Sequence, residues 1–371
     1  MTLTLDLPTP CYLFSETALQ KNLARAQQIQ QDTNCKILLA LKSFAVWKLF
    51  GYFSAVLPGV TASSLNEARL GAEEFGGEVH AYAPAWRPDD FATVAALSSH
   101  LVFNSRAQWE RHRQQTAAAS VGVRVNPQYS EISNPLYNPC LPHSQFGVTA
   151  ADADFLCHAD IDGLHCHALC EQNSDSLESV AERIHAQFGA VLSTKRWVNL
   201  GGGHLLCNDD YDHARLATII HRFQKKYGVT VYLEPGGGLT AHCCRLITSV
   251  LDILPNGTVI LDASASAHAP EVLETPYRPE IDHSGKRGEK KHSYHLCGAT
   301  CMAGDVFGDY SFDQPLRVGD KLGLQNMAAY TVVKHTVFNG VAPPFIARQK
   351  EDGMVDILRT PDYEDFRRRM S

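Results

Sequence analysis

Between residues 35 and 234 the chain carries eight short apolar runs, at 35–42, 59–63, 78–83, 101–104, 121–126, 161–167, 196–200 and 229–234. Segments 65–75, 87–97, 106–118, 174–188 and 210–227, which lie between them, have the periodicity of amphipathic helices. The first run, Cys35-Lys-Ile-Leu-Leu-Ala-Leu-Lys42, is continuously apolar at its centre, as expected of a strand covered on both faces. A strand that returns through a helix re-enters the sheet in the same direction, so the pairing should be parallel. Eight such units predict a closed (β/α)8 barrel of the TIM type rather than an open doubly wound sheet. The interval 126–160 breaks the rhythm. Pro127, Pro135, Pro139 and Pro142 interrupt any helix there, and a long loop on the active face is expected.

Past residue 240 the texture changes. Segments 244–253, 258–262, 294–297, 321–324 and 330–338 are short, rich in β-formers and separated by Gly, Pro and Asp. They predict a second, mostly antiparallel β domain. The expected division is a barrel at 13–241 and a β-rich domain built from 1–12 and 242–371. The charged stretch 278–291 reads as a solvated loop. A net charge of −7 disfavours a broad nucleic-acid or acidic-membrane surface. No apolar run reaches 18 residues, so no membrane helix is expected. The opening MTLTLDLPTPCYLF has neither a positive leader nor a long apolar core, and the eleven cysteines are an odd set. A cytoplasmic protein with reduced thiols is the expectation.

In such a barrel, chemistry belongs at the C-terminal ends of the strands. Lys42 ends the first run, His165 and His167 end the sixth, Gly201-Gly-Gly203 follows the seventh, and Glu234-Pro-Gly-Gly-Gly238 follows the eighth. A lysine there either extends its ammonium to water or serves as a Schiff-base amine whose pKa burial lowers. The glycine turns are either tight connections or places where backbone N–H groups approach a phosphate. Neither matches a nucleotide-binding pattern. Glu234 needs a partner, either a structural cation or the ring nitrogen of a cofactor. His167 reads as a core histidine or as a flat ring that stacks on a cofactor. His165, Cys166, His167 and Cys170 are close in sequence, but no paired C-x-x-C accompanies them, so no metal site is expected. In the β domain, Cys297-Gly-Ala-Thr-Cys-Met-Ala-Gly-Asp305 is a small, polar string able to offer a thiol and a carboxylate.

The strings Ala40-Leu-Lys42-Ser-Phe, Gly163-Leu-His-Cys-His167, Gly201-Gly-Gly203, Glu234-Pro-Gly236, 268–279, 297–305 and Met327-Ala-Ala-Tyr330 carry a resemblance. The chain resembles the barrel-type pyridoxal-phosphate decarboxylases, which include the ornithine, arginine and diaminopimelate decarboxylases. Within them it is similar to the carboxynorspermidine/carboxyspermidine branch. The resemblance implies pyridoxal 5'-phosphate as cofactor and Lys42 as its Schiff-base lysine. It further implies Glu234 on the pyridine nitrogen, His167 against the ring, and Gly202, Gly203, Gly236, Gly237 and Tyr330 around the phosphate. Cys301 would donate a proton from the partner subunit of a homodimer. His268, Glu271 and Asp305 would meet the ammonium groups of a carboxylated polyamine. Three positions depart from the pattern. Gly237 stands where the wider family has arginine and the branch often glutamate, Gln145 replaces a basic residue, and Met302 follows the thiol where ornithine decarboxylases have aspartate. The alternative enzyme is a diaminopimelate or basic amino-acid decarboxylase. The alternative of another class is a non-catalytic pyridoxal-phosphate carrier, which the continuation past the barrel disfavours.

Overall fold

The computed structural model describes residues 6–116 and 118–371. They fall into two compact units, Lys21–Leu239 and the residues up to Gln20 together with Thr240–Ser371. The sequence reading sets the seam at 13 and 241. The first strand, β1 (Cys11–Ser15), pairs with residues 244–247 and 345–349, so residues 13–20 group with the sheet unit instead.

The next eight strands form the barrel. They are β2 (Lys36–Ala40), β3 (Gly59–Ala62), β4 (Glu78–Tyr82), β5 (His100–Phe103), β6 (Ser120–Arg124), β7 (Gly163–His165), β8 (Trp197–Asn199) and β9 (Thr230–Leu233). Every pair is parallel, and β9 closes on β2 through Lys36–Tyr232 and Ile37–Leu233, as the eight-run pattern predicts. Two of the helices start where a serine follows a strand. Ser64 and Ser105 each accept the N–H three residues on, from Glu67 and Gln108, and so satisfy amides that a helix start leaves unpaired.

Inside the barrel, Trp197 packs with Leu38, Val102 and Tyr232. A side chain at Gly122 or Gly163 would collide with the Trp197 ring, so the indole occupies the volume those two strands leave empty. The connection after β6 is irregular through Thr149, with only the short turns Ala150–Asp152 and Ala153–Leu156 before β7.

The sheet unit adds β10 (Cys244–Ile253), β11 (Thr258–Leu261), β12 (His292–Cys297), β13 (Val306–Phe312), β14 (Lys321–Leu324), β15 (Phe345–Gln349) and β16 (Val355–Arg359). Their order is β13-β12-β11-β10-β1-β15-β16, with β14 also on β10. Only β1–β15 and β11–β12 are parallel, so the sheet is mostly antiparallel as expected. One expected strand is absent: within 330–338 the chain makes the helical turn Thr331–Lys334. Tyr330 enters it with φ 59°, and His335 Nδ1 meets the Val332 carbonyl at 2.6 Å, contacts that turn the backbone away from an extended path. The charged stretch 278–291 is tied to β13 by a Gly285–Ser311 pairing. Among the described residues, no helix is long and apolar enough to cross a membrane.

Candidate active site

Lys42 lies in a turn just beyond β2. The Ser43 N–H, the Ser43 hydroxyl and the Phe44 N–H all return to the Ala40 carbonyl, at 3.0, 2.9 and 3.2 Å, and the Phe44 ring is fully buried. The turn is therefore anchored on both sides of the lysine. Lys42 is reachable from solvent, yet its amine lies deep enough in protein that desolvation lowers its pKa. Glu234 opposes that shift and Arg124 adds to it. An accessible amine biased toward its neutral form is suited to nucleophilic attack.

Glu234 follows β9 directly, its N–H donating to the Gly201 carbonyl at 2.8 Å. Burial alone would raise its pKa. The neighbouring His165 and Lys42 outweigh that and hold the carboxyl well below its ordinary value. His165 Nε2 is 3.5 Å from Oε1. Burial pushes the pKa of that imidazole down, and the Glu234 carboxylate beside it pushes the other way. The Asn199 Nδ2 donates to the same oxygen at 2.6 Å. No described residue hydrogen-bonds Oε2.

His167 lies two residues past β7. Its Nδ1 accepts the Gly202 N–H at 2.9 Å, and burial, with Lys42 nearby, drives its pKa far down. The ring is thus neutral with its proton on Nε2. The glycines make this assembly possible. Gly203 has φ +83°, and a side chain there would collide with the Leu169 carbonyl. One at Gly236 would collide with the Ser43 hydroxyl, which locks the lysine turn against the turn after β9. Gly237 follows it, partly exposed, in the short helical turn Gly236–Leu239. The Gly202 amide, expected near a phosphate, is committed here to His167.

Two side chains of this constellation escaped the sequence reading. Arg124 ends β6, donates to the His167 carbonyl at 3.1 Å, and lies over the rings of Tyr82 and Phe146 at 4.8 and 4.4 Å. Asn199 ends β8. A polar residue inside an apolar run was the available signal for both. The proline-containing loop returns to the same strand ends. Asn104 Nδ2 donates to the Gln145 carbonyl at 2.9 Å and Asn126 Nδ2 to the Phe146 carbonyl at 3.0 Å, while Gln145 itself remains exposed.

The remaining expected site residues belong to the sheet unit. Cys301 is exposed, and its N–H donates to Asn339 Oδ1 at 2.9 Å. Tyr330 is half-buried. Asp305 is 2% exposed and accepts from the Ser264 hydroxyl at 3.0 Å, the Ser266 N–H at 3.0 Å, and the Thr300 N–H and hydroxyl at 3.2 and 2.6 Å. Buried His268 accepts the Ser264 N–H on Nδ1, and its Nε2 meets the Ala342 carbonyl. Burial first, then His335, brings it down to about 4. Glu271, its side chain 19% exposed, meets Lys334 at 3.1 Å, a cation it shares with Glu274. Of these three, Glu271 is the one whose side chain is partly exposed.

A separate polar group sits at the opposite ends of the strands. Ligand atoms of Glu78, His80 and His100 lie within 4.8 Å of one another. Lys36 already meets Glu78 at 2.6 Å, and the two imidazoles stack at 3.9 Å and 15°. Stacked rings cannot both direct in-plane lone pairs at one ion, so the geometry is that of a polar plug at the barrel floor.

The family described as pyridoxal-dependent decarboxylase, C-terminal sheet domain, matches residues 11–328. The chain belongs to the pyridoxal-dependent decarboxylases. It is 42% identical to the carboxyaminopropylagmatine decarboxylase of Synechocystis sp., over 98% of this chain and 96% of the relative. It is 36% identical to the carboxynorspermidine/carboxyspermidine decarboxylase of Campylobacter jejuni, over 97% and 98%. The crystal structure of carboxynorspermidine decarboxylase from Campylobacter jejuni, complexed with norspermidine, aligns with a TM-score of 0.92 at 35% identity, over 98% of this chain and all of that one. The match runs past the barrel into the sheet unit. Pyridoxal phosphate is the cofactor, and the barrel mouth fits it. It offers a reachable amine, an ionised carboxylate with one oxygen unbonded by any described residue, a neutral imidazole, and glycine backbone where side chains would collide.

Proposed function

We propose that this decarboxylase acts on a carboxylated polyamine, carboxynorspermidine or carboxyspermidine, releasing carbon dioxide from the carbon beside the reacting amine. The observation that carries the reading is whole-length likeness, at 35% identity, to the carboxynorspermidine decarboxylase crystallised with norspermidine. A second reading has its own support. The 42% identical relative is named for carboxyaminopropylagmatine, whose agmatine end is a guanidinium instead of an amine.

Bound pyridoxal phosphate supplies the electron sink for the carbon that loses carbon dioxide. In our assignment Lys42 would hold the cofactor through its amine. Glu234 would pair with the ring nitrogen, and His167, oriented by Gly202, would lie against the ring. Gly203, Gly236, Gly237 and Tyr330 would hold the phosphate. Cys301 would supply a proton from the partner subunit of a head-to-tail homodimer, and Glu271 would meet the distal ammonium. All eleven cysteines are free, which supports a reducing, cytoplasmic setting.

Carbon dioxide release should be measured with carboxynorspermidine, carboxyspermidine, carboxyaminopropylagmatine, ornithine, lysine and diaminopimelate. The first two should give the highest kcat/KM. A clear preference for carboxyaminopropylagmatine selects the second reading, and a preference for diaminopimelate overturns both.

A further inference from the structure

We infer that Asn199 is the positioning residue that aims Glu234. Its side-chain amide bridges two elements. Oδ1 accepts the Gly201 N–H at 2.8 Å and Nδ2 donates to Glu234 Oε1 at 2.6 Å, and the residue is 1% exposed. The Gly201 amide fixes which end of the side chain faces the carboxylate, because a flipped amide would set N–H against N–H. Gly201 is itself constrained. Its φ is +77°, and a side chain there would press on the Cys166 carbonyl and on His167. The glycine turn after β8 therefore orients Asn199, Asn199 holds Oε1, and Oε2 is left to point at the cofactor. His165 Nε2, at 3.5 Å, is too distant to do the same.

This rests on the reading that Glu234 meets the ring nitrogen, so the test separates the two. Glu234→Gln, Asn199→Ala and the double variant are prepared, and apo-protein is titrated with pyridoxal phosphate by absorbance, alongside steady-state kinetics. Asn199→Ala should weaken cofactor binding and lower kcat roughly ten- to a hundredfold, with little change in substrate KM, as expected for losing a hydrogen bond to a charged group. In the Glu234→Gln background the same substitution should add little, since its effect runs through that carboxylate. Full additivity would overturn the inference, as would an Asn199→Ala protein with wild-type cofactor affinity. If Glu234→Gln alone changes neither binding nor turnover, the Glu234 reading falls, and the Asn199 inference with it. Should Asn199→Ala fail to fold, the isosteric Asn199→Asp carries the test. Its paired carboxylates would move the acid limb of the cofactor absorbance upward by about one pH unit or more, and an unmoved limb would overturn the inference.

Discussion

Among single residues, the acids of the sheet unit separate into two kinds. Asp305 has four hydrogen bonds from Ser264, Ser266 and Thr300, all inside its own unit. Its carboxylate organises the Cys301 loop and leaves little for a ligand. Asp305→Asn should cost about 2–4 kcal/mol of stability, by turning an amide donor toward buried donors. Chemical denaturation should show that loss, while the ranking of substrates in the panel stays as it is. Glu271→Gln is the contrasting variant. It should lower kcat/KM for the long polyamine substrate roughly tenfold through a lost charge pair, with cofactor absorbance unchanged. A wild-type kcat/KM in that variant would remove Glu271 from the substrate site.

At the scale of elements, the barrel was legible because each buried parallel strand leaves an uninterrupted apolar run, and the intervening helices keep their own period. The sheet was less so. β15 and β16, at Phe345–Gln349 and Val355–Arg359, mix charged and apolar residues and are only partly buried, so no run announces them. The expected strand at 330–338 had β-forming Thr-Val-Val, but the left-handed backbone at Tyr330 diverts it into a turn. The site followed the same logic. Lys42, His167 and Glu234 stand just past strand ends, where sequence position implies a place at the barrel mouth. Asn199 and Arg124 depend on partners brought from distant strands, Glu234 and His167, and those pairings exist only once the barrel closes. Packing at the barrel centre yields a further expectation. Gly163→Ala forces a methyl into the Trp197 ring and should destabilise the protein by about 1–3 kcal/mol or more, read as a lowered Tm.

Across the whole molecule, histidines are buried in neutral form in both units. Burial takes His204 of the barrel and His268 of the sheet from 6.5 to about 4. Because the folded value is depressed, unfolding binds a proton at each once the pH drops below 6.5. Their contribution to stability is complete above that pH and declines as pH falls toward 4, by about 1.4 kcal/mol per pH unit for each histidine. Denaturation midpoints at pH 7.5, 6 and 5 (about one and a half units apart, then one) should fall in that order. A flat profile would mean the two rings are not held neutral. We assign Lys42, at the mouth of the closed barrel, as the lysine that carries the cofactor of this decarboxylase. The most direct test is to reduce the holoenzyme with borohydride and locate the pyridoxyl group by peptide mass spectrometry. The label should fall on Lys42, and it should disappear together with the bound-cofactor absorbance in Lys42→Ala. A stoichiometric label on any other lysine of the wild-type enzyme would contradict it.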